Sequence, residues 1–81
     1  MIVELDVPRG TRLHLLAHEF EPNPTHRDEV VWSVAVHRDA TAGKVRLHGH
    51  MCGADGECAK GWCFEAVVLV SAIRANRDGA R

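Results

Sequence analysis

Apolar and polar residues alternate along most of this chain with a period of two, in short runs separated by turn formers. Val3-Glu4-Leu5-Asp6-Val7 is the first such run, with the spacing of a strand that has one wet face. Pro8-Arg9-Gly10 ends it with turn chemistry. Arg12-Leu13-His14-Leu15 resumes the alternation and continues to Phe20, with a slip of phase at Leu15-Leu16 that a β-bulge would produce. The polar segment 21–29 contains Pro22 and Pro24, which predicts a stiff, non-helical surface loop.

The middle of the chain predicts a hairpin. Val30, Trp32, Val34 and Val36 fall on one face of a strand, with Val31, Ser33, Ala35 and His37 on the other. Arg38 to Gly43 supplies a turn. Val45, Leu47, Gly49 and Met51 then face one way, with Arg46, His48, His50 and Cys52 opposite.

Residues 62–74 are apolar almost without interruption, so periodicity alone does not separate strand from helix. Val67, Val68, Val70 and Ile73 favour a strand, whereas Arg74 and Arg77 followed by Gly79 resemble the end of a helix. The strand is the preferred assignment. It places Trp62, Phe64, Ala66, Val68, Val70 and Ala72 on one face and Cys63, Glu65, Val67, Leu69, Ser71 and Ile73 on the other. A domain of one sheet hides only one of two apolar faces, so Val67, Leu69 and Ile73 are expected to contact a protein partner or a second copy of the chain.

Together these elements predict a mainly β fold, a compact antiparallel sheet or small barrel of about five strands. The α+β alternative has the last element as a helix packed on the sheet. The 81 residues form a single domain, 1–81, and a core this small supplies only about 3–5 kcal/mol unless a metal, a disulfide or a partner assists it.

Charge and composition then exclude several classes of function. Ten basic residues face eleven acidic ones, so no broad field draws in duplex nucleic acid. The tail Arg74, Arg77 and Arg81 is too small a patch to change that. The start of the chain carries Glu4 and Asp6 where a signal peptide needs a basic residue and an apolar stretch. The longest apolar run, 66–73, falls far short of the about twenty residues that span a bilayer. A cytoplasmic protein without membrane contact is expected, and an odd number of cysteines, three, fits a reducing compartment.

One window carries recognisable chemistry. HGHMCGADGECAKGWC, residues 48–63, holds all three cysteines and two of the six histidines. Cys52, Cys58 and Cys63 with His48 or His50 make the ligand inventory of a structural zinc site, and Gly53, Gly56 and Gly61 let a loop wrap an ion. The Cys-x5-Cys-x4-Cys spacing, however, lacks the close Cys-x2-Cys pair that marks zinc sites, so plain thiols in an unliganded loop are the first reading, ahead of structural zinc and of one disulfide with a spare thiol. His14, His37, His48 and His50 all sit on the polar phase of their strands, where they could meet across the sheet. No phosphate-binding glycine motif, zinc-protease pair or Cys-x-x-Cys redox pair is present. The expectation is a non-catalytic assembly or interaction subunit, either a homo-oligomer or a small component of a larger protein particle. Its rival is a zinc-binding regulator or sensor whose 48–63 loop folds around the metal.

Overall fold

The computed structural model describes residues 7–51 and 61–79. Within them the chain forms β1 (Arg12–Leu15), β2 (Phe20–Glu21), β3 (Glu29–Arg38), β4 (Lys44–His50), β5 (Phe64–Leu69) and α1 (Val70–Arg77). The strands build one antiparallel sheet in the order β1-β3-β4-β5-β2. The sheet curls into a half-barrel, and α1 packs against it. The mainly β fold is as expected.

A short link explains the curl. Residues 16–19 connect β1, at one edge of the sheet, to β2 at the other. The Glu19 N–H donates to the Leu16 carbonyl at 2.9 Å, so this link is a tight turn with a reach of about 15 Å at most, flanking peptides included. Five flat strands would separate their outer members by about 19 Å. The sheet must therefore bend. The chain turns at Leu16, where a bulge within one continuous strand was expected, because the strand has to cross from one edge to the other.

A bulge does occur in β3, where the register shifts between Ser33 and Ala35. It divides the expected face of Val30, Trp32, Val34 and Val36. Val31 and Ser33 point inward and are buried, and after the shift Val36 takes the inward phase and packs against the core. Ser33 is an unusual residue for that face, and its partners account for it. Its hydroxyl donates to the Pro8 carbonyl at 2.8 Å and accepts the Thr11 N–H at 3.2 Å, which docks the 8–11 turn beside the bulge.

In β4 the expected phase holds for Val45, Leu47 and Gly49, which are buried. Gly49 is required there. A Cβ at this position would lie 2.5 Å from Val31 Cγ1 and 2.6 Å from the Trp32 carbonyl oxygen, so β3 and β4 approach only because the side chain is absent.

The last element is both of the structures its sequence suggests, one after the other. β5 pairs with β4 as far as Lys44↔Leu69, the beginning of β4. Beyond Leu69 a strand would have no neighbour on that side. The chain instead turns back as α1, and the Val70 N–H donates to the Gly43 carbonyl at 2.9 Å. Ala72 and Ile73 close over the interior at 0% and 1% exposure. Phe20 and Phe64 meet edge-on in the same core, their ring centres 5.5 Å apart.

Asn76, on the last turn of α1, completes the β1 edge. It accepts the His14 N–H at 2.8 Å and donates to the His14 carbonyl at 2.9 Å. One side-chain amide thus makes the two bonds a neighbouring strand would make, which blunts that edge. The strand expected at Val3–Val7 lies outside the described residues except for Val7, which packs against the core.

Candidate functional site

The 48–63 window begins on β4 and ends beside β5, so its two ends lie at the same end of the sheet. The Cys63 N–H donates to the Gly49 carbonyl at 3.0 Å. The Met51 N–H in turn donates to Cys63 Sγ at 3.1 Å. These bonds extend the β4–β5 ladder by one step and clamp the base of the intervening loop. Cys52 and Cys58, two of the expected zinc ligands, lie outside the described residues.

His48 and His50 share the outer face of the sheet, as their spacing predicts. His48 lies opposite Glu65 on β5 and Ala35 on β3. Its Nε2 lies 2.8 Å from Glu65 Oε1, while the other carboxylate oxygen lies 3.4 Å from an Arg46 guanidinium nitrogen. Two rings enclose the imidazole: Trp62, with centres 4.6 Å apart, and His37, edge-on at 5.3 Å. His50 is buried at 8% exposure opposite Trp32. Among the described residues no group of three His, Cys, Asp or Glu side chains stands close enough to hold a metal ion.

Of the four histidines on polar phases, His37 and His48 meet. The hairpin explains why. Val36 pairs with Leu47 and Ala35 with His48, so outward residues on the two arms come together diagonally. His14 pairs with Val30 on the far side of β3 and lies against Asn76. Sequence reasoning missed the contributions of Glu65 and Trp62. The signal for Glu65 is that a lone acid interrupts the apolar run just where β5 passes β4.

The expected partner-binding residues separate. Val67 and Leu69 occupy the outer face of β5 and are half-buried. Ile73 corrects the expectation: it lies in the core at 1% exposure, because the helix that begins at Val70 rotates it inward. Most of the surplus apolar surface predicted for 62–73 is thus covered from within the chain. Both tryptophans remain on the outer face, half-buried. Trp32 stands between Arg12 and His50 in the cross-strand rows.

An imidazole–carboxylate pair of this kind can exchange a proton, but Glu65 is 47% exposed and the open sheet face has no walls to exclude water. Comparison with known proteins finds no matching family, no matching characterised protein and no matching solved structure. Among the described residues no helix is long and apolar enough to cross a membrane.

Proposed function

We propose that this chain is a non-catalytic interaction subunit that assembles with a protein partner or with further copies of itself through the outer face of its sheet. One observation carries the proposal: Trp32 and Trp62 lie on that face, while the core is built from leucine, valine, phenylalanine, alanine and Ile73. A tryptophan spared from the core of so small a domain forgoes a large burial contribution, and its usual return is at an interface. Val67 and Leu69 extend the patch along β5, with Arg46 and Glu65 as its polar surround.

Native mass measured across a wide concentration range tests it. The expected result is a mass above that of one chain, or a co-purifying protein. Trp62→Ala and Leu69→Glu should each weaken the association by about tenfold or more. A chain that stays monomeric at high concentration and brings no partner through purification would sink the proposal.

A zinc-dependent regulator remains the second proposal, and the clamp at the loop base favours it: Cys63 and His50 stand at the same end of the sheet. Elemental analysis of protein kept reduced and away from chelators decides this. One zinc per chain, with loss of fold on chelation, is the result it requires.

A further inference from the structure

The half-barrel is open at the end where β3 turns into β4. There a groove of about 880 Å³ runs between the turn at 39–43 and the first turns of α1, within the size range of small-molecule sites. Val36, Val45 and Val70 give it an apolar floor.

Two arginines line this groove, Arg38 from the end of β3 and Arg74 from α1. The β3 bulge sets Val36 in the inward phase, and Arg38, two residues on, shares that side of the strand at the point where the core ends. Arg74 stands one helical turn after Val70 and lines the same groove. Neither forms an ion pair among the described residues. Lys44 adds a third cation, shared with Glu21 at 3.3 Å. The acid in the lining is Asp39, and it is committed to its own turn, accepting the Thr41 N–H at 2.9 Å.

From this geometry we infer that the groove binds a small organic phosphate, its charged group held between Arg38 and Arg74 and its apolar body on the valine floor. Paired guanidinium forks match the oxygen geometry of phosphate. The groove is lined by neither Trp62 nor Leu69, so Arg38→Gln and Arg74→Gln test it with the residues of the proposed interface left in place.

The probes are adenosine monophosphate, adenosine and inorganic phosphate, titrated into the ¹⁵N-labelled full chain. Adenosine monophosphate is expected to shift the amides of Gly43, Lys44 and Ser71. Arg38→Gln and Arg74→Gln should each weaken its binding by about tenfold. Silence at millimolar adenosine monophosphate overturns the inference, and so does equal binding of adenosine or undiminished binding by the double variant. Inorganic phosphate that binds as tightly as the nucleotide also overturns it, since the floor then contributes nothing. Should the double variant fail to fold, the wild-type protein gives the answer through salt: affinity must fall as ionic strength rises, and an affinity indifferent to salt counts against the site.

Discussion

Replacing Gly49 with alanine adds one methyl group at the closest approach of β3 and β4. The added Cβ would stand 2.6 Å from the Trp32 carbonyl oxygen and 2.5 Å from Val31 Cγ1. A carbon settles against a carbonyl oxygen at roughly 3.3–3.6 Å, so the strands must part by roughly 0.7–1.0 Å. The Val31 methyl can rotate or be removed, but the Trp32 carbonyl belongs to the backbone beside the bulge. Parting the strands there stretches the ladder around Ser33↔Gly49. Overpacking costs about 1–3 kcal/mol where side chains can give way, and a backbone obstacle puts Gly49→Ala at the top of that range, about 3 kcal/mol. For a domain with a margin of about 3–5 kcal/mol, the melting temperature should fall by about 12 °C or more. Urea denaturation followed by tryptophan fluorescence measures the change directly. The double variant Val31→Ala/Gly49→Ala separates the two contacts: it should recover little, because the carbonyl remains in place. Stability within about 0.5 kcal/mol of wild type for Gly49→Ala, or full rescue by the double variant, would mean that backbone crowding does not fix this glycine.

Further expectations concern the helix and the hairpin turn. Asn76→Ala removes both bonds to His14 and one to the Ala72 carbonyl, and should cost about 1–2 kcal/mol while speeding amide exchange at His14 above all; uniform exchange across the sheet would contradict the edge role. Ile73→Ala should destabilise the monomer by about 2–5 kcal/mol, as a residue at 1% exposure requires, and leave association unchanged once the protein is folded; native mass beside denaturation distinguishes the two effects. Asp39 is held below the ordinary carboxylate value of 3.8, chiefly by the Thr41 backbone N–H. Its contribution to stability is therefore present above that value and is lost as pH falls through the lowered one. The stability difference between wild type and Asp39→Ala should accordingly shrink as denaturation is repeated at pH below 3.8; a difference that grows on acidification would have the wrong sign. His48→Ala/Glu65→Gln double-mutant cycles should give a coupling below about 1 kcal/mol, because the carboxylate is half exposed and water screens the pair.

The alternation of residues by itself determined the β3–β4 hairpin about Gly43 and the outward phase of His37, Arg46 and His48, since each of these follows from a period of two and local turn chemistry. For residues 62–74 it offered two competing signals, β-branched residues for a strand and basic residues before Gly79 for a helix, and the preferred strand fails beyond Leu69. Where one gave way to the other was a tertiary matter, fixed at Leu69 because β4 has no further residue to pair with it. That single boundary moved Ile73 from an expected outer face into the core. The β3 bulge belongs to the same class: it sits where Ser33 meets Pro8 and Thr11, contacts between distant residues that no local pattern encodes. The joining of His48 to Glu65 and Trp62, and the placing of Arg38 and Arg74 on one groove, likewise required the register and the curl. A period states which way a side chain points, and only the closed sheet decides what it faces.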